Sequence, residues 1–358
     1  MNSICPDAPP RGGAIVSRPP RRRPSGTPLV LLAALAVGAC SEANDLTVYC
    51  ALDQEHSQAM IARFEAATGK SVKKRFDTEG DKTVGLVSAI HNEAASPRCD
   101  VFWNNELAHT VRLGQKGLLQ PYVSPSAAAL PAQFKDKDGL WTGFAARARV
   151  FIVNESLVPD RGEWPKSMWD LLDPKWKGRC AIARPLTGTT LTHFTALRLV
   201  LGEQEFQRFV DGLFANEVVF LQSNAATMRA VAAGDLAFAF TDTDDYHVAK
   251  TKGHPVGCVF PDQEEGQIGT MLIPNSVAII KGAPHPEAAR AFVDWLLAEE
   301  TEGLLAAAKS AQIPLRASVP GPPDPAILAF GSFRSMAWDP AATAEALERT
   351  LADMRKRF

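Results

Sequence analysis

Apolar runs along this chain alternate between two lengths, one suited to buried strands and one to helices with a single buried face. Leu46 to Cys50 (LTVYC) reads as a buried strand. Met60, Ile61, Phe64 and Ala67 then recur at a spacing that keeps one helical face inward, with Asp53 where an N-cap belongs. Gly69 closes that helix, and Ser71 to Phe76 begins a second strand. Asp77 to Asp81 forms a polar loop whose last residue caps a helix reaching about Ala94. Cys99 to Trp103 is a third strand, followed by Asn104, Asn105, Glu106 and a helix to Gly117. Strand–helix alternation of this kind predicts an α/β fold with a mostly parallel sheet covered on both faces.

The pattern then restarts. Ala146 to Val153 (ARARVFIV) is long enough to cross between two lobes, and Trp164 to Trp176 is rich in turns and tryptophan. Arg179 to Arg184 is a strand that leads into Pro185 to Thr190 and a helix. Val218 to Leu221 and Leu236 to Phe240 supply further strands, and Met271 to Ile280 is an apolar segment able to return to the first lobe. Helices follow over Pro286 to Leu297 and Pro340 to Phe358. The second opens on Asp339-Pro340, a cap followed by proline in the first turn. The expected division is a first lobe of residues 46–149 plus 275–325, a second lobe of 150–274, and a C-terminal helical segment of 326–358.

The N-terminus changes the picture. Arg18 to Arg23 form a basic cluster, and Pro28 to Ala39 is an apolar stretch of about a dozen residues, which suits a signal peptide and is too short to span a bilayer as a helix. It ends in Val37-Gly38-Ala39-Cys40, which resembles the bacterial lipobox. Residues 1–39 are therefore expected to be removed and Cys40 lipidated, with 40–45 as a linker, tethering the protein to a bacterial membrane on its periplasmic or outer side. The proline-rich lead before the basic cluster fits a start codon downstream of Met1. Cys50, Cys99, Cys180 and Cys258 then sit in an oxidising compartment. Each lies in or beside an apolar run, so buried thiols and any of three disulfide pairings stay open. A net charge of −2 gives no basic field for nucleic acid.

In open α/β sheets, ligands bind beyond the carboxyl ends of the strands, so those loops carry the candidate chemistry. Thr187-Gly188-Thr189-Thr190 opens a helix, where free N–H groups and the positive dipole end favour an anion. Asp242, Asp244 and Asp245 crowd three carboxylates into four residues, a cluster that repels itself unless a cation or hydrogen-bond donors sit within it. A metal ion or an organic ammonium group would satisfy it. Catalytic patterns such as GxSxG, HExxH or a P-loop are absent, so no enzymatic activity is expected. A secreted hydrolase using Asp53 with the aspartates, and a sensor lipoprotein that has lost its ligand, remain rival classes.

The order VYCALDQEHSQAMIARFEAATGKSV, CDVFWNNE, GLLQPY, ARARVFIVN, WPKSMWDLLDPKWKGRCAIARP and PHPEAARAFVDWLLAEETEGLL resembles the ferric-iron-type periplasmic solute-binding proteins of ABC importers, over about Leu46 to Leu315. The resemblance implies a class II two-lobe periplasmic-binding-protein fold joined by crossover strands. It implies a monomer that closes on a small charged solute and delivers it to the permease and ATPase subunits of an inner-membrane importer. Ferric-binding members hold iron with a histidine after the first strand, a glutamate after the third and two adjacent tyrosines. Those positions fall on Asp53, on Asn105 (with Glu106 next to it), and on Asp244 and Asp245, with Tyr246 just beyond. The family's anion pocket falls on Thr187, Gly188, Thr189 and Asn224, and two crossover-strand arginines fall on Arg147 and Arg149. The implied ligand is Fe(III) or another hard metal ion with a companion anion, carried as cargo, with no cofactor required. A zwitterionic or phosphorylated solute such as an aminophosphonate is the alternative.

Overall fold

The computed structural model describes residues 45–52, 54–77 and 84–358. The leader, Cys40, Asp53 and Asp81 lie outside the described residues.

The first part of the chain gives β1 (Leu46–Cys50), α1 (Gln54–Thr68), β2 (Val72–Phe76), α2 (Val84–Asn92), β3 (Val101–Asn104) and α3 (Ala108–Gln115). β1 pairs in parallel with β2 on one side and β3 on the other, as the strand–helix alternation predicts. A two-residue β4 (Leu119–Gln120) follows. Next comes β5 (Thr142–Asn154), thirteen residues buried along their whole length. Then come β6 (Cys180–Ala183), α4 (Gly188–Leu201), α5 (Glu203–Ala215), β7 (Val219–Leu221), α6 (Asn224–Ala233), β8 (Phe238–Asp242), α7 (Thr243–Thr251) and β9 (Val256–Val259). The chain ends with β10 (Leu272–Ile280), α8 (Pro286–Leu296), α9 (Glu299–Ala307) and α10 (Pro340–Arg355).

The strand order is β2-β1-β3-β10-β5-β8-β6-β7, with β4 also against β10 and β9 also against β5. β5 is the common member of two half-sheets. Its residues 142–148 pair with β10, and Arg149 to Val153 pair with β8. The result is a two-lobe α/β architecture threaded by β5 and β10. Of the apolar cores, one runs from β1, α1 and α8 along β5 into α6 and α7 of the second half, and another packs Phe151, Phe194, Phe206, Phe209, Phe238 and Phe240 on the opposite face of that half-sheet. Within the β5–β10 ladder, Pro274 faces Ala146 and Asn275 faces Phe144. Ala145 is thus left as an extra residue, in the left-handed region at φ 32°. This is a β-bulge, a local twist written into the crossover.

Several edges differ from the sequence reading, each for a local reason. The strand expected at Leu236 to Phe240 runs two residues later and takes Asp242 into the ladder directly opposite Arg149. A charged residue counted as loop is tolerated there because its partner supplies the opposite charge. The crossover strand begins at Thr142 rather than Ala146, since the bulge at Ala145 interrupts the ladder without ending it. The tryptophan-rich segment holds two short 3-10 turns, the first opened by a capping box between Ser167 and Asp170, and a third turn, Arg161–Glu163, lies just before it. The C-terminal segment is helical only over α10. There Asp339 accepts hydrogen bonds from the Ala341 and Ala342 amides, and Pro340 occupies the first turn. No disulfide joins any two of Cys50, Cys99, Cys180 and Cys258, and the first three are buried. Burial is also the main reason three of these thiols resist ionisation: it pushes Cys99 and Cys258 well up and Cys180 up to about 12. No described helix is long and apolar enough to cross a membrane.

Candidate functional site

The carboxyl ends of β6, β7 and β8 point into one cleft, which Asn105 and Arg147 close from the other half of the sheet. The innermost cavity measures about 70 Å³. At roughly 10–15 Å³ per water-sized occupant, that is room for a metal ion and a few oxygen atoms.

Its back wall is organised by Asp242. One carboxylate oxygen accepts from Arg149 Nη1 at 2.7 Å. The other accepts from the Thr189 hydroxyl at 2.7 Å and from Asn224 Nδ2 at 3.0 Å. Asn224 also donates to Thr189 Oγ1 at 2.9 Å, and Thr190 donates to Asn224 Oδ1 at 3.1 Å. One acidic side chain therefore ties together the end of β8, the start of α4 and the start of α6. Burial alone would push the Asp242 carboxyl up. The guanidiniums of Arg149 and then Arg147 more than offset it, with help from Thr189, and hold the group below the usual carboxylate range. Arg149 is fully buried and lies over the Phe240 ring, 4.8 Å from its centroid. His193 beside it is kept neutral, by burial first and the Arg149 charge second.

Asp244 and Asp245 stand in the first turn of α7, where negative charge also suits the helix dipole. Asp244 accepts from Arg147 Nη1 at 3.3 Å, and Asp245 accepts from the Thr241 hydroxyl at 2.7 Å. Arg147 in turn donates to the carbonyl of Asn105 on its own half, so that the Arg147–Asp244 pair reaches across the cleft from an anchored side chain. Ligand oxygens of Asp242, Asp244 and Asp245 all lie within 4.8 Å of one another. Facing them, Thr187 precedes α4 in extended backbone and its hydroxyl makes no capping bond. Gly188 adopts φ 59°, a left-handed turn that glycine enters without a Cβ penalty and that aims the first helical turn at the cavity.

A profile of the bacterial extracellular solute-binding proteins matches residues 59–328. The chain belongs to that family. It is 29% identical over 304 residues to iron uptake protein A1 of Synechocystis sp., covering 82% of this chain and 81% of that one. It is 30% identical over 266 residues to iron uptake protein A2 of the same organism, covering 70% and 73%. The crystal structure of iron-bound HitA from Pseudomonas aeruginosa superposes with a TM-score of 0.77 at 26% identity, covering 86% of this chain and 98% of that one.

Seen as a solute-binding protein, the chain brings together most of the residues its sequence singles out. Asn105, Arg147, Thr187, Gly188, Thr189, Asn224, Asp242, Asp244 and Asp245 all line the cavity. Glu106 does not. Fully buried, it accepts from the Ala108 and His109 amides, from Asn104 and from the Thr192 hydroxyl at 2.9 Å, so it caps α3 and ties that helix to α4. Asp242 lines the site yet has three of its roughly four acceptor positions filled, which makes it an organiser more than an open ligand. Tyr246 belongs to the apolar core, not the cavity. Asp53 lies outside the described residues. The sequence reading missed Arg184 and Gln222, which also line the cavity beside Ser223. Their place at the ends of β6 and β7 was the available signal.

Proposed function

We propose that this protein captures ferric iron together with a companion anion in the cleft and presents it to an ABC-type permease, without performing chemistry on it. The observation that carries the reading is the convergence of three carboxylates on a cavity whose opposite wall is the amide-rich start of α4. Charge accounting supports the companion anion. Arg149 and Arg147 each pair with one carboxylate, Asp242 and Asp244, so the site offers a trivalent ion little net negative charge. The remainder has to arrive with the metal, and the first turn of α4 is where an anion is stabilised. Oxygen donors of this kind suit a hard cation. The names of the relatives, two of them iron uptake proteins and one solved with iron, point to the same cargo.

The proposed lobes are residues 46–149 with 275–325, and 150–274, closing about β5 and β10. The proposed address is the periplasmic side of a bacterial membrane, through lipid on Cys40. Mass spectrometry of the mature protein from its native membrane tests the anchor, and an unlipidated N-terminus other than Cys40 would remove it.

The binding reading is tested by a thermal-shift series with Fe(III), Fe(II), Ca(II), Mn(II) and phosphate on the parent and on Asp244→Ala/Asp245→Ala. Ferric iron with phosphate is expected to raise Tm in the parent and not in the double variant, whose unliganded Tm is lower because Arg147 loses its carboxylate but whose unfolding stays cooperative. Equal stabilisation of both proteins would show that the cargo sits elsewhere. With no tyrosine side chain lining the described cavity, the ferric complex is also expected to lack a visible phenolate charge-transfer band.

A further inference from the structure

A second cavity, of about 540 Å³, lies between α2, α3, the start of α4 and α10, and shares only Thr187 with the carboxylate-lined one. That volume is in the range of organic-ligand pockets. Val87, Leu113, Leu191 and Leu351 give it an apolar side chain from each of the four helices. Its charges are unbalanced, with Arg112, Lys116 and Arg355 set against Glu348 alone. Glu348 is paired with Arg112, and Lys116 and Arg355 have no carboxylate partner among the described residues. Two cations therefore stand uncompensated beside an apolar hollow. The lining also holds a buried imidazole. His109 is 7% exposed, and neither of its ring nitrogens has a hydrogen-bond partner among the described residues. Burial keeps the ring neutral, so it presents one donor and one acceptor. Buried polar atoms are nearly always paired, so this ring in an apolar wall marks a place for an outside hydrogen-bonding atom.

We propose that this cavity is a second ligand site, separate from the cargo site, for an organic anion with an apolar body. The body lies among the valine and leucine side chains, and a polar atom of the ligand meets His109. The acidic group turns to Lys116 and Arg355, which are both exposed at the rim. Inorganic phosphate has nothing to offer the apolar walls, and a neutral hydrocarbon would leave the two cations unanswered. Because α2 and α3 come from the first half and α4 from the second, the occupant touches both halves at once.

Fluorescence titration with 8-anilino-1-naphthalenesulfonate, and with N-phenyl-1-naphthylamine as the same skeleton without its acid, tests this on the parent, Ser88→Trp and Lys116→Glu/Arg355→Glu. Ser88, Lys116 and Arg355 are exposed and border this cavity but not the carboxylate-lined one. Circular dichroism and Tm of each variant check that the fold is kept. The parent is expected to bind one equivalent of the sulfonate, at least about tenfold more tightly than the neutral amine, and less tightly at high salt. Ser88→Trp puts an indole into the hollow and should abolish binding of both probes. Lys116→Glu/Arg355→Glu should weaken the sulfonate by about tenfold and leave the amine within about twofold. Sulfonate binding that survives Ser88→Trp unchanged would place the probe elsewhere and overturn the site. The two probes binding the parent alike, or both being weakened alike by the charge reversal, would overturn the anion preference and the proposal with it. Should Ser88→Trp fail to fold, the charge reversal alone decides.

Discussion

Asp242 shows how one side chain settles a site. It sits on β8 opposite Arg149 and holds Thr189 and Asn224 through its second oxygen. Replacing it with asparagine leaves Arg149 buried without its carboxylate, and removing one partner of a buried pair costs about 3–5 kcal/mol. Urea unfolding should register that loss, and a change below about 1 kcal/mol would contradict the organising role. The pH dependence has a definite sign. Because the folded-state carboxyl is held below its usual value near pH 4, its contribution is fully present above that range and is lost as pH falls through the folded value. The stability gap between the parent and Asp242→Asn should be flat above about pH 5 and narrow below about pH 4. A gap that widened on acidification would mean the proton goes elsewhere. At this scale the sequence was informative about chemistry and less so about role. Clustering made Asp242, Asp244 and Asp245 visible together. Only coordinates separate an aspartate committed to Arg149 from the two at the cavity, or show Glu106 turned inward to cap α3.

Elements were legible where one periodicity dominated. β1 falls where its apolar run lies, and α10 starts where Asp339 and Pro340 announce it. β4 is two residues long, too short for a pattern, and β9 (VGCV) carries a glycine that breaks its apolar run. β8 was misplaced by two residues because a charged strand end looks like a loop until its partner is known. α10 also has a role no local pattern gives. It packs against α3 and α4 together, with Leu347 seated between Ala108 and Leu191, Arg112 paired with Glu348, and Arg198 2.8 Å from Asp353. Leu347→Ala should therefore cost about 2–5 kcal/mol by chemical denaturation and leave the ferric-induced rise in Tm intact. Loss of that rise alone would mean that α10 acts on the cleft.

For the whole molecule, strand–helix alternation and one over-long apolar strand sufficed to foresee two lobes sharing a crossover. The division of β5 between two partners at Ala148 and Arg149 was not visible, since pairing is a long-range choice. Polar links between the halves include Arg147 with Asp244, the Ala148 amide with the Thr243 hydroxyl, and Thr192 with Glu106. Thr192→Val deletes the last and leaves a buried acceptor under-satisfied, at a cost of about 1–3 kcal/mol. It should also shift the unliganded ensemble towards more open shapes. Small-angle scattering with and without Fe(III) would report this as a larger radius of gyration in the unliganded variant only, and identical profiles for both proteins would remove Thr192 from the closing device.

The spare residue at Ala145 has a mechanical corollary. Rotation about a fixed pivot moves each atom in proportion to its distance from the axis. Arg149 lies four residues along the same strand, opposite Asp242 in one ladder, and would hardly travel relative to that carboxylate. β7, at the far edge of that half-sheet, would describe a wider arc, so the cleft wall at Gln222 just past it would arrive last and leave first.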